Sequence, residues 1–134
     1  AMDAGYECEI YAFSDSNDLQ SVVQRMASES DVIYLPTDNT VASNTALIDN
    51  VCRPLGIPVI AGEEGICEGC GIATLSISYY NLGVITAEMA AEILLQGADG
   101  SSMPGRYDVT PARKYNAEIC EELGITIPEG YDPV

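Results

Sequence analysis

Residues 31–43 constrain the fold more than any other part of the sequence. The apolar residues 32–35 predict a short buried strand that ends at Pro36, and a helical pattern begins a few residues later. Asp38 and Asn39 therefore lie between the carboxyl end of a strand and the amino end of a helix. In open α/β sheets small ligands bind at this edge, and a helix start offers free N–H groups. We expect Asp38 and Asn39 to contact a small polar ligand, although either side chain could simply cap the helix.

The excess of acidic side chains argues against two classes of binding partner. The 134 residues carry 21 acidic and only 5 basic side chains, a formal net charge of −16. Nucleic acids and anionic membranes are bound through patches of Lys and Arg, so neither is expected as a partner. Histidine is absent, which excludes a His-based catalytic triad and His ligands for a metal. We expect no cofactor and no metal, and no apolar run approaches the ~20 residues of a membrane-spanning helix.

Strand and helix patterns alternate along the chain. Strands are predicted at residues 7–13, 32–35, 57–61 and 72–77, with a further edge strand at 107–109. Helices are predicted after Asn17 or Asp18, across 41–55, across 79–96, and from Thr110-Pro111 to about Leu123. This order predicts an α/β fold with a parallel sheet. We expect a single domain over residues 1–134, in which the segment 97–134 completes or flanks the sheet.

The helix predicted at 79–96 is the longest element. Four of its apolar residues recur at helical spacing, which indicates a side that faces the core. They are Leu82, Ile85, Met89 and Ile93.

Polar clusters follow three of the predicted strands, at residues 36–40, 62–65 and 78–80. Right-handed crossovers would bring all three clusters to one edge of a parallel sheet. There Glu63 would join Asp38, and the two carboxylates could hold an ammonium group or sugar hydroxyls, or act as an acid and a base. Tyr79 could stack on a ring or an aliphatic part of a ligand, or it could pack on the rim of the core. Ser78 could contact the ligand or only cap the next helix.

The five cysteines do not form a recognisable disulfide or metal pattern. Cys67 and Cys70 form one CxxC pair, which is weak evidence for zinc because four ligands are needed. We expect the pair, placed in a Gly-rich stretch between strands, to be bystander thiols or a local disulfide. Phosphate-binding glycine loops are absent, so nucleotide binding is disfavoured.

Several segments resemble ABC-transporter substrate-binding proteins of the type I periplasmic-binding fold. The most specific is Pro-Thr-Asp-Asn-Thr at 36–40, followed by Gly-Glu at 62–63 and Tyr-Tyr-Asn-Leu-Gly at 79–83. Residues 112–116 and 123–128 match as well. The resemblance extends from about residue 31 to 127, and is nearest to the branch thought to carry amino acids, including aromatic ones.

This resemblance implies a three-layer, parallel-sheet lobe, the second of two lobes that close over a ligand. It places Asp38, Asn39 and Glu63 on the ligand side, and Ser78 and Tyr79 at the crossing into the hinge. The ammonium of an amino acid would lie by Asp38 or Glu63. The sequence departs from the family at Ser78, where relatives commonly carry Asp.

By the same resemblance, the first lobe and the first strand of the second lobe are missing here. Such an incomplete lobe should bind its ligand weakly or not at all, and its uncovered surfaces favour a homodimer or strand exchange. The parent protein would be a periplasmic protein or a cell-surface lipoprotein, outside the cytoplasm, that serves an ABC transporter permease. Its secretion signal is not seen in this chain.

We expect a binding protein and not an enzyme. Two alternatives stay open from the residues alone. One is a small enzyme that uses Asp38 and Glu63 as acid and base, and the other is a non-catalytic sensor or interaction lobe.

Overall fold

The computed structural model describes residues 1–134. A short 3₁₀ turn, Met2–Ala4, precedes six helices and five strands. The helices are α1 Ser16–Glu29, α2 Asn39–Ala42, α3 Thr45–Cys52, α4 Glu64–Cys70, α5 Tyr79–Gln96 and α6 Ala117–Glu122. The strands are β1 Ile33–Leu35, β2 Val59–Ala61, β3 Ala73–Ser76, β4 Ala112–Tyr115 and β5 Asp132–Pro133. No helix combines the length and the apolar character that crossing a bilayer requires.

The five strands form one sheet in the order β1-β2-β3-β4-β5. The first three strands run parallel, with Ile33 opposite Val59 and Ala61 opposite Thr74. β4 is antiparallel to β3, and β5 is parallel to β4. The prediction of an α/β fold built on a parallel sheet is confirmed, with β4 as the one strand that reverses direction against its neighbour. β1 is an outer strand, so its free side has no hydrogen-bonding partner.

The main core lies on one face of the sheet. Strand residues of this face pack against α1, α3 and α4, and the cluster holds 13 buried residues. Ile48 of α3 and Ile66 of α4 are each 0% exposed. Burying one such side chain contributes roughly 1.5–3 kcal/mol, so the packing of these two helices on the sheet contributes substantially to stability.

A smaller core lies on the opposite face. Ile119 and Cys120 of α6 pack there with Ile72, against Ile60 and Ala73 of the sheet. Helices thus cover both faces, as a three-layer lobe requires. The cover on this second face is partial, because Tyr34 and Leu75 are 65% and 59% exposed.

The predicted strand at residues 7–13 is wrong. These residues have no regular structure, and most are exposed. Side chains hold the segment to α1, since the Tyr11 hydroxyl donates to Glu29 at 2.7 Å and the Arg25 guanidinium lies 5.1 Å from the Tyr11 ring centre. A strand needs a neighbour for its N–H and C=O groups, and no strand lies beside this segment.

The predicted helix at 79–96 has the expected bounds, but the expected core-facing side is wrong. α5 contains no buried residue. Leu82, Ile85 and Met89 are half-buried, and Ile93 is 40% exposed. The helical spacing of these apolar residues therefore marks one apolar side of α5, and no other part of this chain fully covers that side.

Three further local predictions are also wrong. Residues 107–109 form no strand, and Thr110-Pro111 starts no helix, because 112–115 pair with β3 instead. The helix predicted across 41–55 is broken into α2 and α3 at Ser43 and Asn44. The CxxC pair, in contrast, lies between strands as predicted, and the Gly-rich stretch that holds it forms the helix α4.

Candidate ligand-binding site

Asp38 follows β1 and caps α2. Its Oδ1 accepts a hydrogen bond from the Val41 backbone N–H at 2.9 Å, while Oδ2 accepts none from the protein. Asp38 and its neighbour Asn39 are both exposed. The capping role and a ligand role are compatible, because one carboxylate oxygen stays available.

Glu63 follows β2 and caps α4. Its Oε2 accepts from the Gly65 N–H at 3.0 Å, and its Oε1 accepts from the Ile66 N–H at 2.5 Å. Both oxygens thus serve the first turn of α4. This arrangement fixes the carboxylate, and leaves only its remaining lone pairs for a ligand.

The loops that follow β1 and β2 are in direct contact. The Thr37 hydroxyl donates to the Gly62 carbonyl at 3.2 Å, and the Gly62 N–H donates to the Leu35 carbonyl at 2.7 Å. A Cβ at residue 62 would lie 2.7 Å from the Thr37 nitrogen, so only glycine permits this approach. The convergence predicted for these two loops is confirmed, and it places Asp38 and Glu63 beyond the carboxyl ends of neighbouring strands.

The third loop follows β3 and leads into α5. The Ser78 hydroxyl accepts from the Asn81 N–H at 3.2 Å, which makes Ser78 the N-cap of α5. Tyr79, the first residue of α5, is 61% exposed. No hydrogen bond joins this loop to the loops after β1 and β2. It lies at the same edge of the sheet because β3 runs parallel to β2.

Asp108 is a residue of this edge that sequence reasoning missed. Its Oδ2 accepts from the Ser78 N–H at 3.1 Å and from the Asn81 side-chain amide at 3.5 Å, and its Oδ1 accepts from the Thr110 N–H at 3.1 Å. The Thr110 and Ser78 N–H groups lower the pKa of this carboxyl. No local pattern could have identified it, because its partner Ser78 lies 30 residues earlier in the chain.

Carboxylates thus accompany the ends of all three parallel strands: Asp38 after β1, Glu63 after β2 and Asp108 beside the end of β3. None of them forms a salt bridge; the ion pairs of the chain belong to Arg53 and Arg106. An edge with uncompensated negative charge and helix N-terminal N–H groups suits a ligand that carries both a cationic group and hydrogen-bond acceptors.

The edge is open to solvent. Two surface depressions, with volumes of about 460 and 420 Å³, lie elsewhere. The first lies beside α6 and the C-terminal segment, and the second beside residues 109–113. Neither is lined by the five predicted site residues Asp38, Asn39, Glu63, Ser78 and Tyr79.

The CxxC pair is buried in the core and not presented at a surface. Cys67 and Cys70 are 0% and 3% exposed, and both are free thiols. Burial raises the pKa of each thiol to about 12. A redox-active thiol needs the opposite, a lowered pKa and access to its partner.

Comparisons with known proteins agree with this architecture. Residues 1–131 match the family described as ABC transporter substrate binding protein. An 89-residue stretch is 33% identical to a tyrosine-binding protein of Clostridioides difficile, and covers 66% of this chain and 26% of that protein.

Two solved structures superpose over 99% of the chain at 31% identity. One is a ligand-free, open substrate-binding protein with adhesive properties from Clostridium difficile, with a TM-score of 0.80 and 45% of its chain covered. The other is an ABC domain from Streptococcus pneumoniae in complex with L-Trp, with a TM-score of 0.84 and 48% covered. The chain therefore spans less than half the length of these relatives.

The family match over nearly the whole chain, the sheet with its three converging loops and the two superpositions lead to one conclusion. The chain belongs to the ABC transporter substrate-binding protein family.

Proposed function

We propose that this chain is the ligand-facing lobe of a receptor that captures an amino acid outside the cytoplasm and delivers it to an ABC transporter permease. The observation that carries the proposal is the meeting of polar loops at the carboxyl ends of adjacent parallel strands, where Asp38 and Glu63 lie with no basic partner. Capture and delivery, rather than catalysis, are what the family does.

Within this proposal the ligand ammonium lies against Asp38, because Oδ2 of that carboxylate accepts no hydrogen bond from the protein. Asn39 and Ser78 add polar contacts, and Glu63 contributes charge from a fixed position. The exposed ring of Tyr79 stacks on the ligand side chain. The relatives described as tyrosine-binding and as bound to L-Trp support an aromatic amino acid as the ligand.

The edge is too open to enclose an amino acid. Binding sites for small molecules bury most of the ligand surface, and in two-lobed proteins closure supplies much of this burial. We therefore propose that high affinity requires a second lobe opposite Asp38 and Tyr79. The chain's share of less than half of its solved relatives supports this view.

Isothermal titration calorimetry tests the proposal. L-tryptophan, L-tyrosine, L-phenylalanine and a panel of other amino acids are titrated into the intact parent protein and into the 134-residue chain. We expect micromolar binding of an aromatic amino acid to the parent and at least about 100-fold weaker binding to the chain. Absence of amino-acid binding by the intact parent would overturn the proposal.

The lobe on its own is also proposed to self-associate, as a homodimer or by strand exchange. β1 has a free edge, and the exposed side chains of α5 include Leu94 and Leu95 at 80% and 83%. Unpaired strand edges and contiguous apolar surface both favour association. Light scattering coupled to size-exclusion chromatography should give a mass near 28 kDa, about twice the 14.2 kDa of one chain. A mass of one chain at high concentration would contradict this.

A further inference from the structure

The chain leaves the sheet at the end of β3 and returns at the start of β4. Ser76 and Ala112, the last and first residues of these strands, are paired opposite each other. Everything between them forms an excursion, defined here as residues 77–111, that contains α5. Because α5 buries no residue, the folded body does not hold the helix along its length. The orientation of the excursion therefore depends on contacts at its base.

Asp108 makes the main contact at that base. Ser78 and Asn81 lie on the outgoing side of the excursion, and Thr110 lies on the returning side. One carboxylate accepts hydrogen bonds from all three residues. Hydrogen bonds to an ionised acceptor are about twice as strong as neutral ones, and a carboxylate at the amino end of a helix also interacts favourably with its dipole. The two ends of the excursion are thus joined by a single side chain.

A second contact lies farther out along the excursion. The Arg106 guanidinium donates to both carboxylate oxygens of Glu92, at 2.7 Å each. This pair holds the returning segment along α5, but it does not touch the sheet. Since Arg106 is engaged with Glu92, it is not the partner of Asp108. Among the charged residues of the excursion, Asp108 alone accepts hydrogen bonds from both of its ends next to the sheet.

We propose that Asp108 is a positioning residue that fixes the turn from β3 into α5 and thereby sets the placement of Ser78 and Tyr79. The functional part of this inference rests on the proposed function, in which those two residues contact the ligand. Asp108 itself needs no contact with the ligand. Asp108 lies in a segment without regular structure. Removing its carboxylate would nevertheless leave the Ser78 N–H at the start of the excursion and the Thr110 N–H at its end without their acceptor.

A fluorescence reporter tests the structural part. The chain contains no Trp, so Tyr79→Trp introduces a unique indole at an exposed position that tolerates the larger ring. Nanosecond anisotropy decay of this indole reports local motion of the first turn of α5. Asp108→Ala and Asp108→Asn are each combined with the reporter. Asn keeps one acceptor oxygen but replaces the other with a donor, which cannot pair with a backbone N–H.

Asp99→Ala is the matched control. Asp99 also lies in the returning segment and also accepts hydrogen bonds, from the Ser101 N–H at 2.9 Å and the Ser101 hydroxyl at 2.8 Å. All of these bonds stay within its own turn. We expect Asp108→Ala to increase the amplitude of fast depolarisation at least about twofold, with a smaller increase for Asp108→Asn and none for Asp99→Ala.

Equal depolarisation in the Asp108 and Asp99 variants would overturn the inference, provided that far-UV circular dichroism shows all variants folded. If Asp108→Ala does not fold, the depolarisation of Asp108→Asn is compared with that of Asp99→Ala instead, and equal values would again overturn the inference. The amide exchange rate of Ser78 is a second measurement, since it should rise in the Asp108 variants only.

Titration of L-tryptophan and L-tyrosine into the intact parent separates the two proposals. At a temperature where circular dichroism shows the variants folded, Asp108→Ala should raise Kd at least about threefold, whereas Asp99→Ala should leave Kd unchanged. If the parent binds neither amino acid while Asp108→Ala still loosens the reporter, the proposed function fails and the structural inference stands. If the parent binds and Asp108→Ala changes neither Kd nor anisotropy, the inference fails and the proposed function stands.

Discussion

The Thr37 hydroxyl donates a hydrogen bond to the Gly62 carbonyl at 3.2 Å, which ties the loop after β1 to the loop after β2. Each loop continues directly into a helix whose N-cap is a carboxylate, Asp38 in one and Glu63 in the other. The two carboxylates are therefore held on a rigid support before any ligand arrives. Such preorganisation reduces the ordering cost of binding.

The charge of Asp38 can be separated from its capping role. Asp38→Asn keeps an oxygen for the Val41 N–H and removes the negative charge. Under the proposed function, we expect this change in the two-lobed parent to raise the Kd for the proposed amino-acid ligand at least about tenfold, or roughly 1.4 kcal/mol, without lowering the thermal midpoint. Asp31→Asn is the control, because Asp31 precedes β1 and so lies at the opposite end of that strand. Calorimetry that gives equal Kd values for both variants would remove Asp38 from the site.

The thiols should differ sharply in reactivity. Cys8 is exposed, whereas Cys52, Cys67, Cys70 and Cys120 are buried. Burial raises the pKa of Cys52 to about 11 and that of Cys67 and Cys70 to about 12, so little reactive thiolate is present near neutral pH. Brief treatment with iodoacetamide should add one group to the native chain and five in denaturant, as counted by intact mass. Cys8→Ser should add none when native, and fast modification of a second thiol would show that the core opens.

Two helical glycines should respond in opposite ways to alanine. A Cβ at residue 69 would lie 2.3 Å from the Thr45 Oγ1, where α4 packs on α3, whereas a Cβ at residue 83 meets nothing within 4 Å. Gly69→Ala should lower the free energy of unfolding by roughly 1–3 kcal/mol through overpacking. Gly83→Ala should leave it unchanged or raise it by up to about 1 kcal/mol, because Gly is a poor helix former. Urea unfolding measures both, and a loss of stability in Gly83→Ala would mean that α5 has a partner in solution.

The carboxylate of Asp18, at the start of α1, should contribute to the free energy of unfolding in a way that depends on pH. The Asp18 carboxylate accepts from the Ser14 and Asp15 N–H groups, each at 3.1 Å, and these bonds lower its pKa. A lowered folded-state pKa contributes stability that is fully present above the unfolded value of about 3.9, and that is lost as pH falls through the folded value.

Asp18→Asn should therefore reduce stability at neutral pH, and the difference from the unmodified chain should vanish in acid. Thermal melts across this range measure the difference at each pH. Asp3→Asn, at an exposed position with no hydrogen bond to its side chain, should shift the melts equally at every pH or not at all. A constant gap between the Asp18→Asn and unmodified melts down to strong acid would contradict this account.

Local sequence patterns predict the three parallel strands and the helix α5, because neighbouring residues largely determine these elements. The three parallel strands were found because short apolar runs bounded by Pro and Gly leave few alternatives, and α5 was found with the bounds that the structure shows. The residues 7–13 also carry a strand pattern, but a strand forms only where a neighbour offers its backbone, and sequence says nothing of that neighbour. β4 shows the converse, since Ala112–Tyr115 lacks an apolar alternation and becomes a strand because β3 pairs with it.

The residues of the candidate site also differ in whether local sequence could predict them. Asp38 and Glu63 could be predicted because each follows its strand directly and caps the next helix. Asp108 could not, since it reaches Ser78 only after the chain has gone out through α5 and come back. Whether Asp38, Asn39, Glu63, Ser78 and Tyr79 contact a ligand stays a prediction.

The uncovered state of α5 has a consequence for how its sequence can vary. A helix with no fully buried residue is only weakly constrained by the stability of its own folded body, so most single substitutions at the exposed positions of Tyr79–Gln96 should leave the free energy of unfolding unchanged. If such substitutions are nevertheless rejected by a growth-based selection for amino-acid uptake, the selective pressure must come from another surface that α5 meets. Mutational tolerance along this one helix would then map the footprint of that surface, residue by residue.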